Sequence, residues 1–423
     1  MRFLEQFNDI VGIMLFVVYL YQIFYTLYAL ARTSMGKKEQ ETGEEPPLHR
    51  FAAIVCARNE EHVIGELIAS LKAQDYPASL LDIYVLADNC TDGTAQAARE
   101  AGAIVYERAD TAHVGKGYAL DYLFKRLMAS SAAQYDAYLV FDADNIVHKG
   151  FVRAMNATFS QGYDVLTSYR NSKNFGSSWI SASYSIWFLR EARFLNYPRM
   201  MLGTNCAISG TGFLVSDRII RENQGWPYFL LTEDIEFSAS CAVHGWRIGY
   251  CEDAIVYDEQ PVGMRQSWRQ RMRWAKGFYQ VNARYGTRLL GGCFTGKRRF
   301  SCYDMLMTVA PCMLLSVIVM IVNLFMAFSF LTQPYLMAVL MCVTALSYVV
   351  RALRYMYMIL FLYGLLTVIV EWPNIPAKPI KKVMYLPLFP VFMITYMPIA
   401  LVALFKRVEW KPIRHTSVEN VKV

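Results

Sequence analysis

The chain has 423 residues, 55% of them hydrophobic and only 18% charged, with a net charge of +7 and a mean hydropathy of +0.22. That length leaves room for a core domain of about 250 residues plus membrane segments, and the charged fraction lies well below the roughly one quarter of ordinary soluble domains. The composition argues against a plain soluble protein. The basic balance fits juxtamembrane Lys and Arg near anionic lipid rather than nucleic acid, because no basic stripe carries interleaved aromatics.

Residues 10–31 hold no charge and are long enough to cross a bilayer. A signal peptide is the competing reading, and Ala29-Leu30-Ala31 offers a small-x-small site. The apolar run is too long for that, and its N-terminal flank is net acidic (Arg2 against Glu5 and Asp9), which favours a retained anchor over residues 1–32. Arg32, Lys37 and Lys38 follow it, which places the N-terminus outside and the next domain in the cytosol. A charged linker covers 33–49.

Residues 50–290 alternate in the manner of an α/β domain. FAAIVCA (51–57), DIYVLAD (82–88), AIVYE (103–107) and AYLVFDAD (137–144) read as strands, with helices at 60–74, 94–101 and 117–130 between them. Strands that are solid apolar runs separated by helices imply a mostly parallel sheet buried on both faces. Ligands of such sheets bind at the carboxyl ends of the strands. Residues 56–60, Asp88, and Asp142-Ala143-Asp144 all fall there. The nine cysteines show no CxxC spacing and read as small hydrophobes.

After an interfacial connector (291–302), the chain becomes apolar. Residues 303–331 form one span, Thr332-Gln333-Pro334 breaks it, and 335–350 and 355–371 flank Arg351 and Arg354 as two short spans. Residues 383–405 make the last, before a basic tail at 406–423. This gives four C-terminal spans over 303–405 and five in all. Five crossings put Lys378, Lys381 and Lys382 outside, against the positive-inside rule; a single crossing over 335–371 would put them in the cytosol and the tail outside.

Four motifs carry chemistry. Asp142 and Asp144, two carboxylates at i and i+2 on a strand end, offer the hard oxygens that Mg²⁺ or Mn²⁺ prefers when shared with a diphosphate. Asp88 ends the second strand and can accept hydrogen bonds from a uracil or ribose, while Asn89, Thr91 and Asp92 suit capping of the helix that follows. Gly115-Lys116-Gly117 precedes another helix; glycines there allow close approach to a ligand, with Lys116 as a donor-binding candidate, and an ordinary loop is the alternative. Thr232-Glu233-Asp234 marks a helix start, whose carboxylates suit either capping or removal of a proton from an attacking hydroxyl. In Gln270-Arg271-Met272-Arg273-Trp274, residues 270, 273 and 274 share a helix face. Arginine forks bind phosphate oxygens and stabilise charge on a leaving diphosphate, and an indole offers a plate for a sugar ring. An amphipathic interfacial helix is the competing reading of that stretch.

In this order the motifs resemble those of membrane-embedded family 2 glycosyltransferases, the group of cellulose, hyaluronan and poly-N-acetylglucosamine synthases. The resemblance covers about 50–290 by motif and the rest by architecture. It implies a GT-A-like fold, with Asp88 on the nucleotide and Asp142 and Asp144 on the donor diphosphate and metal. It also implies Asp234 as catalytic base supported by Glu233, with Gln270, Arg271 and Arg273 on the diphosphate and Trp274 at the acceptor. The expected reaction is inverting transfer from a nucleotide sugar, UDP-linked by expectation, to a growing polysaccharide at the plasma membrane. Single transfer forming a glycolipid is the alternative. A saccharide or lipid-linked acceptor, membrane lipids, and self-association or an export partner are the expected partners. A transporter or scaffold with a degenerate transferase domain is the reading from another class, and it leaves the complete set of motifs unexplained.

Overall fold

The computed structural model describes residues 2–34, 46–130, 134–310, 312–329 and 335–408. Most of the linker, the tail beyond Val408 and the break at Thr332-Gln333-Pro334 lie outside these residues.

A long apolar helix, α1 (Arg2–Ser34), leads into the alternating domain: β1 (Phe51–Ala57), α2 (Ile64–Lys72), β2 (Leu81–Asp88), α3 (Thr94–Glu100), β3 (Ile104–Arg108), α4 (Lys116–Ala129) and β4 (Ala137–Asp142). The apolar strand β1 has two buried faces, as its composition demands. Phe51, Ala53, Val55 and Ala57 pack on α2, whose Ile64, Leu67, Ile68 and Leu71 form one buried stripe at helical spacing. Ala52 and Ile54 face α4 through Leu120, Leu123 and Phe124. Each large side chain buried this way contributes about 1.5–3 kcal/mol.

The second half continues with β5 (Ile146–Val147), α5 (Phe151–Phe159), β6 (Val165–Ser172) and α6 (Trp179–Glu191). A π-helical turn (Ala192–Asn196) joins α6 to α7 (Tyr197–Met201). Then come β7 (Phe213–Ser216), α8 (Asp217–Glu222), α9 (Glu233–His244), β8 (Ile248–Asp258) and the 32-residue α10 (Met264–Thr295). One eight-stranded sheet results, ordered β3-β2-β1-β4-β7-β6-β8-β5. It is parallel from β3 to β4, as expected. Beyond that it is mixed, because β7 runs antiparallel to both β4 and β6, and β5 antiparallel to β8.

The chain ends in α11 (Arg299–Val309), α12 (Cys312–Ser329), α13 (Tyr335–Val370), α14 (Pro379–Tyr385), α15 (Leu388–Ile394) and α16 (Tyr396–Phe405). Among the described residues three helices are long and apolar enough to cross a membrane: Leu4–Thr33, Tyr335–Val370 and Leu388–Phe405. The pair Arg299–Val309 and Leu314–Ser329, bent by 46°, makes a fourth if counted as one span. The two short spans expected on either side of Arg351 are therefore one helix. Arginine is a good helix former, no Gly or Pro interrupts this stretch before Gly364, and a long side chain carries its charge along the helix surface. At 1.5 Å per residue the helix is about 54 Å long, against a hydrocarbon core of about 30 Å.

Buried ion pairs fasten these helices to the α/β domain. Arg199 on α7 forks onto Asp304 on α11 (2.7 and 2.6 Å), and Tyr21 and Tyr25 of α1 donate to the same carboxylate (both 3.0 Å). Arg193 pairs with Glu371 beyond the end of α13 (2.5 Å). Lys381 on α14 donates to Gly176 O of the α/β domain (2.6 Å), whereas Lys382 donates to Trp372 O just after α13 (2.6 Å).

Candidate active site

A cavity of about 830 Å³ opens at the carboxyl ends of the strands and extends between α6, α10 and the apolar helices. Its wall includes Asp88, Lys116, Asp142, Asp144, Glu233, Asp234, Gln270, Arg273 and Trp274. Nine of the ten residues singled out in the sequence are thus brought together. Arg271 is not among them.

On the sheet side, Asp88 ends β2 and receives Arg108 Nη1 from the neighbouring strand (2.6 Å). Burial raises its pKa, and Arg108 holds the rise back. The flanking turn divides its labour. Asp92 accepts from Thr94 N (3.1 Å) at the start of α3, whereas Thr91 is held by Asn59 through its N–H (2.8 Å) and its hydroxyl (3.1 Å). Lys116 Nζ bonds to Asp142 Oδ1 and donates to Gly210 O (2.7 Å). Burial alone would lower Lys116, but Asp142 and Glu233 outweigh it and push it up to about 12. Gly117 serves packing rather than a ligand: a Cβ there would lie 2.0 Å from Tyr228 O.

Asp142 and Asp144 straddle the turn after β4. Asp142 N–H is held by Thr211 Oγ1 (2.9 Å), and Asp144 Oδ2 accepts from Glu259 N (3.3 Å). Among the described residues no group of three or more His, Cys, Asp or Glu side chains is arranged to hold a metal. The donor set still fits Mg²⁺ or Mn²⁺ bound with a diphosphate, since two hard carboxylates reach the cavity and the ligand and water would supply the remaining oxygens. Lys116 on Asp142 already shows that a cation sits well at this position.

Glu233 and Asp234 open α9, where the helix N-terminus favours negative charge. Thr232 precedes the helix as expected, but its hydroxyl makes no cap bond. Burial first, then the negative charge of Asp234, pushes Glu233 up to about 7 against the pull of Lys116. Burial also raises Asp234, opposed by the backbone of Ile235 and by Lys116 and Arg170. Carboxylates raised toward neutrality suit proton removal better than ordinary ones.

The α10 helix is locked to this turn by Gly277, where a Cβ would meet Thr232 Cγ2 at 2.5 Å. That contact sets the height of Gln270, Arg273 and Trp274 against Asp234. Among the described residues Gln270 Oε1 is buried without a hydrogen-bond partner, and Arg273 makes no ion pair. Trp274 meets Tyr184 edge-on, with centroids 5.7 Å apart. Arg271 points the other way and is fully buried. Its Nη1 donates to Phe392 O (2.8 Å) and Thr395 Oγ1 (2.7 Å), and its guanidinium lies 4.0 Å from the Phe392 ring. The expected contact of Arg271 with a diphosphate is replaced by a structural one, because on a helix residue 271 faces away from the 270/273/274 stripe.

Three cavity residues escaped the sequence reading. Arg170 on β6 bonds to Asp258 at the end of β8 (Nε to Oδ2, 2.9 Å) and to Ser209 O (2.5 Å). Burial pushes Asp258 up to about 7, against Arg170 and with Asp144 and Asp142. Glu191 ends α6 and lines the wall near the membrane helices. Asp258 carries the signal that marked Asp142, an acid closing an apolar strand. Glu191 sits in an apolar helix between Arg190 and Arg193, a signal that was present but attached to no motif.

Comparison with known proteins identifies the family. Residues 46–277 match the family described as glycosyltransferase like family 2. A beta-monoglucosyldiacylglycerol synthase of Synechocystis is 27% identical over 240 residues, covering 55% of this chain and 49% of that protein. A poly-beta-1,6-N-acetyl-D-glucosamine synthase of Staphylococcus aureus is 25% identical over 258 residues, covering 59% of each. The chain thus spans about half to three fifths of the length of these relatives. The mannosyltransferase PcManGT of Pyrobaculum calidifontis, solved with GDP-Man and Mn²⁺, superposes with a TM-score of 0.52 at 15% identity. That superposition covers 94% of this chain and 99% of the other, which shows a shared fold. With the family matched over residues 46–277, more than half of the chain, this chain belongs to glycosyltransferase family 2.

Proposed function

We infer that the protein performs an inverting transfer from a nucleotide sugar to a hydroxyl on a membrane-borne acceptor, the product being a glycolipid. The observation that carries the acceptor class is the apolar lining of the cavity. Besides Asp234 its wall includes Gln22 of α1, Met307 and Val309 of α11, and Leu360 and Tyr363 of α13. Ile359 of α13 also lines it and is 56% exposed, and apolar residues of candidate membrane helices around the site suit a lipid tail. Polysaccharide synthesis, the first expectation from sequence, is favoured instead by the similarity to the Staphylococcus aureus synthase.

In this reading Asp88 holds the nucleotide, UDP by preference, and the diphosphate lies between the strand ends and α10. Asp142 and Asp144 would hold Mg²⁺ or Mn²⁺, which neutralises the diphosphate when bound. Arg273 and Gln270 take the diphosphate oxygens from the opposite wall, and the charge-assisted fork of Arg273 stabilises the leaving group. Asp234 removes the proton from the acceptor hydroxyl as it attacks the anomeric carbon in line, giving inversion. Glu233 keeps the local field negative, and Trp274 supports the acceptor.

The contacts of Lys381 and Glu371 with the α/β domain support a four-crossing arrangement, with α11–α12 leading away from the domain and α13 returning to it. The Lys378–Lys382 stretch then shares the cytosolic side of a plasma membrane with the domain, which satisfies the positive-inside rule.

Product analysis tests the function. Membranes containing the protein, given radiolabelled UDP-glucose or UDP-N-acetylglucosamine with Mn²⁺, should yield one organic-soluble labelled species that disappears on chelation. A size ladder would return the reading to polymer synthesis.

A further inference from the structure

The cavity holds one carboxylate to which the transfer above gives no role. Glu191 lines the same cavity as Asp234, and among the described residues it makes no hydrogen bond or ion pair. It lies within the electrostatic reach of Arg190, Arg199, Arg170 and Asp234. The strand-end carboxylates behave differently: Asp88, Asp142 and Asp258 are each bonded to a cation of the chain. A half-buried carboxylate without a partner costs stability until a ligand satisfies it.

The backbone around Glu191 is also unusual. The π-helical turn Ala192–Asn196 begins directly after it, and such insertions recur at functional sites. Leu195 and Asn196 of that turn line the cavity as well. Next to Glu191, Arg190 Nη2 donates to Gln22 Oε1 (3.1 Å) while its guanidinium lies 5.8 Å from the Trp187 ring and 5.3 Å from that of Tyr363. Gln22, Arg190 and Glu191 together thus add a polar group to the cavity lining.

We propose that Glu191 is an acceptor-binding residue. It accepts a hydrogen bond from a second acceptor hydroxyl, adjacent to the one that Asp234 deprotonates, so the acceptor is a lipid-anchored polyol and not a lone alcohol. An ionised carboxylate can only accept, and a hydroxyl is the donor that such a headgroup brings. A site built to bind a hydroxyl rejects an analogue that lacks it, because the buried acceptor is then left unpaired. This inference rests on Asp234 as the base.

The test uses the purified full-length protein with two soluble probes of equal chain length, n-octyl β-D-glucoside and n-octanol. Wild type should favour the glucoside by roughly 100-fold in kcat/KM. Glu191→Ala should raise KM for the glucoside about tenfold and shrink that preference, with Glu191→Gln intermediate. A merely structural loss would lower both acceptors alike and leave the ratio intact, which would overturn the proposal. Equal use of the two probes by wild type would also overturn it, whether or not any variant folds. Asp234→Asn runs beside these: transfer that survives it refutes the base, and the probe ratio still judges Glu191.

Discussion

On the sheet side of the cavity the charged groups are paired within the chain: Asp88 with Arg108, Asp142 with Lys116, Asp258 with Arg170. On the membrane side the polar groups wait. Gln270 Oε1 has no hydrogen-bond partner, and Arg273 and Glu191 make no ion pair among the described residues. The pairs hold these carboxylates in place before any ligand arrives. The unpartnered groups have only a ligand to satisfy them. Substitutions on the sheet side should therefore cost stability along with activity, while those on the membrane side should cost activity alone.

The sharpest break of this contrast is Asp234→Asn, which should lower transfer by about 10²–10⁴-fold, measured as release of the nucleoside diphosphate. Next come two arginines of one motif. Arg273→Ala should lower kcat/KM by about 10²-fold with a melting temperature close to wild type. Arg271→Ala should instead destabilise the fold by about 3 kcal/mol, since it removes two hydrogen bonds and a fully buried side chain packed on Phe392, and a thermal melt will register it. If Arg271→Ala behaves like Arg273→Ala, the assignment of the two faces is wrong.

The pH profile gives a smaller effect. The base must be ionised, and burial holds Glu233 at about 7 beside a raised Asp234. In the free enzyme kcat/KM should thus climb with pH at a point above the ordinary aspartate range, and Glu233→Gln should move that limb to lower pH by removing a neighbouring negative charge. Stability runs the other way. A carboxyl raised from 4.5 to about 7 favours the folded state fully below pH 4.5, and the benefit is lost as pH rises through 7. Glu233→Gln should accordingly raise the melting temperature more at pH 8 than at pH 5. The smallest effect is expected from Gly277→Ala, which must push α10 away from Thr232 and should cost about 1–3 kcal/mol along with part of the activity.

Much of this arrangement could be read from the chain. The apolar runs at β1, β2 and β4 fixed a parallel half-sheet, and acids at their ends located the donor site. The other half was silent. Strand β6 carries polar residues such as Thr167, Ser168 and Arg170, β8 carries Glu252 and Asp253, and β7 is only four residues long, so their places depend on partners distant in sequence. Spacing grouped Gln270, Arg273 and Trp274 on one face, yet the resemblance carried Arg271 along with them, and only the packing of Phe392 and Tyr396 shows where it goes. Arg351 and Arg354 looked like a boundary between spans because charge is costly in hydrocarbon. A helix that continues through them can tilt or extend past the membrane, which composition does not reveal.

The central claim is that Asp234 drives one in-line displacement at the anomeric carbon. The most direct measurement is the anomeric configuration of the product, determined by NMR after transfer from an α-linked nucleotide sugar, with Asp234→Asn in parallel. The account predicts a β-linked product that the variant fails to make. An α-linked product, or equal yield from the variant, would contradict it.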